Sequence, residues 1–342
     1  MKKNQWKIGI AAIVALSTIG GIKYVGAQWN LHELTQVHHR DRGPRLPQDP
    51  ATQARWDSFT AIWNARNTRD ITDEINPFLS DPFQPLRVRA AQALGELENP
   101  KAVAPLQAIL DGMKAEDDGY KEGGIPAVTL KLALGRIASR QLKGQAKVAR
   151  MVEQVGLTWS QLVSLSQTIN GSKGPQEGES LGKEIIDEVV DLLYTMGKRG
   201  EKVVPIAQQL TLAPAQKVLI EASPLSVSQE AEQILNYFSG LHVIQVADYS
   251  LVEHLVKLGP VATSTIVARL EEMKQNPQKF KSLEPVPGRP GAYHQRMGTT
   301  LLFRAAIQTK DPRVIPLLKH FKQSSDSFIR REATVVLNSL DL

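Results

Sequence analysis

The sequence predicts an all-α fold, an α-solenoid of stacked antiparallel helix pairs, and three observations predict it. One helical segment recurs: Leu86, Ala90, Ala93, Leu94 and Leu97 coincide with Ile329, Ala333, Val336, Leu337 and Leu340 at an offset of 243, and Arg87 falls on Arg330. At its first occurrence the segment is followed closely by a second apolar stripe, with only a short break at Asn99-Pro100 between them. Finally, Leu134-Gly135, Met196-Gly197 and Leu258-Gly259 each close an apolar helical run, at two equal intervals of 62. A helix pair of this kind leaves one apolar side open to water, so neighbouring pairs must stack against it.

The chain opens with Lys2, Lys3 and Lys7 before an uncharged run over 8–22, and Val25-Gly26-Ala27 places small residues where a signal peptidase cuts. We read 1–27 as a signal peptide or a membrane anchor. The run of 15 residues is short of the about 20 that a spanning helix needs, which favours export with cleavage before Gln28. Both readings place the rest of the chain outside the cytoplasm, in the periplasm or held at the outer face of the inner membrane. The absence of cysteine fits an oxidising compartment, and it removes thiolate metal sites, disulfides and cysteine nucleophiles.

The net charge of +6 does not point to nucleic acid. Four lysines lie in the first 27 residues without an acid, and the remainder carries 37 basic against 35 acidic residues. Phosphate binding needs a concentrated basic face, which such a balance does not supply.

Residues 28–51 hold Gly43, Pro44, Pro47 and Pro50 in a polar setting and read as a flexible tether. The folded part is expected over 52–342. A first amphipathic helix over 55–67, with Trp56, Phe59, Ile62 and Trp63, would cap the stack. In the clearest unit, 86–113, Leu86, Ala90, Ala93 and Leu97 form one stripe, and Val103, Leu106 and Leu110 form the facing stripe of a second helix. In the weaker copies Gly135, Gly197 and Gly259 are expected to end their helices in the left-handed conformation. The last full pair spans 299–322, turning at Lys310-Asp311-Pro312, and its successor over 326–342 has one helix. Two insertions interrupt the stack. One near 170–180 is rich in glycine, and one over 276–294 carries prolines at 277, 285, 287 and 290.

Along Leu86-Arg87, Ala90-Ala91-Gln92-Ala93-Leu94-Gly95-Glu96-Leu97 and Pro100-Lys101-Ala102-Val103-Ala104-Pro105-Leu106, the chain resembles a HEAT repeat of the short bacterial type found in phycobilisome lyases. Asp326 to Ala333 and Asp311 to Leu318 resemble it again, and 124–275 does so more loosely. The resemblance implies a HEAT-like solenoid whose surface holds other proteins. It also implies that Arg87 and Arg330 are structural, stapling one helix pair to the next through carbonyls or a carboxylate. Deoxyhypusine hydroxylases share this architecture and hold iron through repeated His-Glu pairs. Here that pair occurs only at His32-Glu33. The bilin lyases act on cytoplasmic proteins, which the leader contradicts.

No constellation of residues points to catalysis. Ser180 lacks the second glycine of a nucleophile elbow, and Gly171-Ser172-Lys173-Gly174 lacks the spacing of a phosphate loop. The acids Glu116-Asp117-Asp118 and Glu271-Glu272 read as solvated faces, and His254 as a satisfied edge histidine. His32, His38 and His39, with Glu33 and Asp41, could share a transition metal, although a solvated tract explains them more simply. The expected function is that of an exported, non-enzymatic scaffold or adaptor for a protein partner, with no cofactor. The alternative is an exported enzyme or metal-binding accessory protein using the His32/His38/His39 segment or the 276–294 loop.

Overall fold

The computed structural model describes residues 49–113, 124–170, 180–285 and 293–339. The leader, His32, His38 and His39, and the glycine-rich insertion at 171–179 lie outside the described residues. Two compact units are present, and the boundary between Leu192 and Leu193 falls inside a helix. The short stretch Gln208–Thr211 belongs to the first unit.

In the first unit, α1 spans Pro50–Asn64. It starts earlier than the sequence pattern suggests, because Asp49 accepts a hydrogen bond from the Thr52 backbone N–H at 2.8 Å and Pro50 occupies the first turn, where its missing N–H costs nothing. The proline that looks like a tether residue is a helix start. Phe59 is buried and Trp56, Ile62 and Trp63 are half-buried against the core. Helix α2 (Thr72–Ile75) and a 3-10 turn (Asn76–Ser80) lead to α3 (Gln84–Leu97), which buries Leu86, Ala90, Ala93 and Leu94 as the apolar stripe requires. Glu98 ends α3 in the left-handed region at φ 52°, and Pro100–Ala102 turns into α4 (Val103–Gly112). On α4 only Leu106 is buried. Val103 is 39% exposed, so the facing stripe is narrower than expected.

Helices α5 (Ala127–Ala138), α6 (Gly144–Glu153), α7 (Trp159–Asn170) and α8 (Ser180–Lys198) continue the chain. Helix α3 stacks on α5, and α5 on α6. The stretch 208–211 is tied back to α7: Asn170 Nδ2 donates to the Thr211 carbonyl at 3.1 Å, and the Thr211 N–H to Ser166 Oγ at 3.1 Å.

The second unit holds the end of α8, then α9 (Val204–Ala207), α10 (Pro214–Ala222), α11 (Val227–Ser239), α12 (Val246–Lys257), α13 (Pro260–Gln275), α14 (Gly298–Gln308), α15 (Val314–Phe321) and α16 (Ser327–Asn338). Each helix packs on the next but one. Helices α10, α12, α14 and α16 form one layer and α11, α13 and α15 the other. This two-layer order is that of a HEAT-like α-solenoid, and its shared core runs from Ala215 to Val336. The turn at Lys310 takes a left-handed φ of 56°, and Val314, Leu317 and Phe321 are buried as their spacing demands.

The glycines behave differently from expectation. Of Gly135, Gly197 and Gly259, only Gly259 has a left-handed φ, at 79°. Gly135 and Gly197 remain helical, and a Cβ there would collide with the Met151 backbone and the Ser223 side chain respectively. They are small because another helix crosses them closely, not because the chain turns. The expected loop over 276–294 also contains regular structure. Strands β1 (Leu283–Pro285) and β2 (Tyr293–Gln295) pair antiparallel, with Leu283 opposite Gln295. Asp326 accepts hydrogen bonds from the Ser282 N–H and Oγ–H, each at 2.8 Å, which anchors this excursion to the start of α16.

Candidate protein-binding cleft

The excursion borders an open cleft of about 430 Å³ in the second unit. Its floor is apolar, from Leu235 and Phe238 on α11, Met273 on α13 and Leu302 on α14. Phe280 and the two cations Lys279 and Arg296 stand at the excursion's ends. Gly298 lets α14 begin directly against the Phe238 carbonyl, so any side chain there would close the approach.

The polar wall is organised by Arg269, whose side chain is only 9% exposed. Its guanidinium donates to Ser239 Oγ at 3.1 Å, Asn236 Oδ1 at 2.8 Å and Glu232, and Nε lies 3.4 Å from Glu272 Oε2. Lys279 also donates to Glu272, and this bond first, then the nearby Arg269, holds that carboxyl below its ordinary range. Glu272 is therefore a paired member of the wall rather than the solvated acid that its sequence context suggests. Three cations against two carboxylates leave the cleft with a slight positive balance around an apolar floor.

A second polar constellation lies in the same unit. Glu230 on α11 is fully buried, accepts from His254 Nε2 at 2.7 Å, and is also bonded by Lys198 and Tyr194. Burial alone would raise its carboxyl, but the bonds from His254 and Lys198 outweigh burial and hold it low. His254 is thus the satisfied edge histidine that the sequence suggests, though its partner is Glu230 and not the adjacent Glu253. Among the described residues no group of His, Asp and Glu is placed to hold a metal ion.

Both repeat arginines do what the repeat pattern implies. Arg87 Nη1 donates to the Asp81 carbonyl, and Arg330 Nη1 to the Ser324 carbonyl at 2.6 Å, each reaching six residues back into the turn before its own helix. The charges that sequence reasoning missed are buried ones, among them Arg136, Lys147, Glu230, Asp248 and Arg269. A signal exists for two of them. Lys147 shares the helical stripe of Met151, and Glu230 that of Ile234, so a charge standing on an apolar stripe marks a buried ion pair. Lys147 indeed pairs with Glu98 at 2.7 Å.

These features define a helical-repeat protein of the kind that often mediates protein interactions. The family model described as PBS lyase HEAT-like repeat matches residues 86–112, the α3 to α4 unit, which supports a HEAT-like repeat protein. No curated protein and no solved structure matches the chain.

Proposed function

We propose that the protein is an exported, non-enzymatic scaffold or adaptor that binds another protein through its repeat surface, working in the periplasm or held at the inner membrane by its N-terminal segment. The observation that carries this reading is the cleft between α11, α13, α14 and the 276–297 excursion: it joins an apolar floor to paired, partly exposed charges, the composition of a protein-binding surface. The leader, with its lysines, uncharged run and small residues at 25–27, supports export. Among the described residues no helix is long and apolar enough to cross a membrane.

The test is an affinity capture of the full-length, C-terminally tagged protein from its native host, with N-terminal sequencing of the bait. Wild type should start at Gln28, or at Met1 in a membrane fraction, and retain one reproducible envelope protein. Lys279→Glu combined with Arg296→Glu should reduce that protein at least tenfold. Capture of cytosolic proteins by an intact bait would reject export, and an unchanged partner in the double variant would reject the cleft.

A further inference from the structure

The excursion that borders the cleft concentrates positive charge. Among the described residues of 274–285 and 293–297, Lys274, Lys279, Lys281 and Arg296 stand against the acid Glu284, whereas the chain after the leader is nearly balanced. The two carboxylates that line the cleft are already engaged: half-exposed Glu232 accepts from Arg269, and Glu272 is paired with both Arg269 and Lys279. The lysines of the rim are less committed. Lys274 and Lys281 are exposed and have no partner among the described residues, and Lys279, 66% exposed, gives one N–H to Glu272 and keeps the others for a ligand. Phe280, which lines the cleft, stands in sequence between Lys279 and Lys281.

We propose that the cleft is the docking site of an acidic linear segment of the partner protein, a stretch that seats one large apolar side chain on the floor of Leu235, Phe238, Met273 and Leu302 and sets flanking Asp or Glu carboxylates against Lys279 and Lys281. The inference rests on the reading of this cleft as the protein-binding surface, and it adds the chemistry of what is bound. Size selects a segment: the cleft, at about 430 Å³, has the volume of a small-ligand pocket, whereas two folded faces bury about 800 Å² each. Shape argues against a lipid surface, because the apolar groups line a concave floor and cannot rest on a flat bilayer. Charge selects the sign. With Glu232 and Glu272 held by Arg269, an incoming carboxylate meets the ammonium groups of the rim. An apolar anchor enclosed by a charged rim is the anatomy of a peptide interface, and acidic motifs are read by clustered cations. The wall is also preformed, since Arg269 is fixed by Ser239, Asn236 and Glu232 before any ligand arrives.

The experiment is selection of a random-peptide phage library on the immobilised full-length protein at physiological salt. Fluorescence anisotropy of the enriched peptides then compares wild type with Lys279→Glu/Lys281→Glu and with Lys217→Glu/Lys257→Glu, a pair of exposed cations outside the cleft. Every substituted side chain is exposed, so both variants should keep the wild-type circular dichroism. The enriched peptides should carry a large apolar residue flanked by Asp or Glu. The rim variant should weaken them by about tenfold or more, with the larger effect at low salt, and the remote variant should bind as wild type does. Acidic peptides that bind the rim variant as tightly as wild type, or that lose as much in the remote variant, would overturn the docking site. Neutral or basic enriched peptides that protect 270–283 from hydrogen exchange would overturn the acidic segment while leaving the cleft as a protein-binding surface. An absence of enriched peptides would overturn the linear segment, and capture with Lys279→Glu and Arg296→Glu would then judge the cleft by itself.

Discussion

Glu188 and Glu230 are two buried glutamates in two units of one chain, and they respond to burial in opposite ways. Glu230 is the more buried of the two, at 0% against 12% side-chain exposure, yet its carboxyl is held low while that of Glu188 is raised to about 7. Burial penalises both anions. What separates them is the company they keep: Glu230 receives bonds from Lys198, His254 and Tyr194 with no competing acid among them, whereas Glu188 shares one guanidinium nitrogen with Asp191. Burial is the largest cause at both carboxyls, and the donors available to each decide whether it is overcome.

The strongest way to break this comparison is Glu230→Ala, which removes the hub of the second unit and strands the polar groups gathered round it. Its expected cost is about 3 kcal/mol in chemical unfolding followed by circular dichroism. A loss below about 1 kcal/mol would show that the hub contributes little beyond its packing. Next in size, and opposite in direction, is Glu188→Gln at pH 8, expected to gain on the order of 2 kcal/mol because the variant no longer carries an anion where the fold disfavours one.

The pH dependence separates the two sites without any substitution. A carboxyl held low, such as Glu230, contributes stability that is present above its unfolded value of 4.5 and lost as the pH falls through the lower folded value. Glu188, held high, behaves in reverse: its contribution is full below 4.5 and is lost as the pH rises towards 7. Hydrogen exchange resolved by segment should therefore show α5 and α8 tightening on acidification from pH 7 to 5, while α11 and α12 loosen only in stronger acid. A finer adjustment is Asp191→Asn. Removing the competing acid should move the fluorescence-detected transition of the first unit down by about one pH unit. Least of all should be the exposed pair Lys183–Asp187, where Lys183→Ala is expected to change stability by less than about 0.5 kcal/mol.

The architecture was legible because the apolar stripes were. Leu86, Ala90, Ala93 and Leu94, and later Val314, Leu317 and Phe321, are buried where their spacing puts them, and the turns at Asn99-Pro100 and Lys310-Asp311-Pro312 close as their chemistry suggests. Less legible were features that depend on what lies opposite. Gly135 and Gly197 read equally well as helix ends or as crossing points, and only the helix packed against each decides. Pro50 read as tether because its role rests on Asp49 as a cap. The cleft was indicated only through the 276–294 excursion, since its floor comes from three helices distant in sequence. Single-chain periodicity carries no information about such convergence.

Arg87 and Arg330 carry a mechanical consequence. Each closes a six-residue loop of backbone across the turn that feeds its helix, so the joint is braced by a side chain as well as by its own torsions. A repeat protein passes load from one unit to the next through such joints. Between 124 and 275 the repeat pattern has no arginine at this position, and other side chains brace the turns, as Lys198 does by donating from Nζ to the Leu225 carbonyl at 3.0 Å. Under tension the joint before α3 and the joint before α16 should each resist opening more than the same joint with its arginine removed.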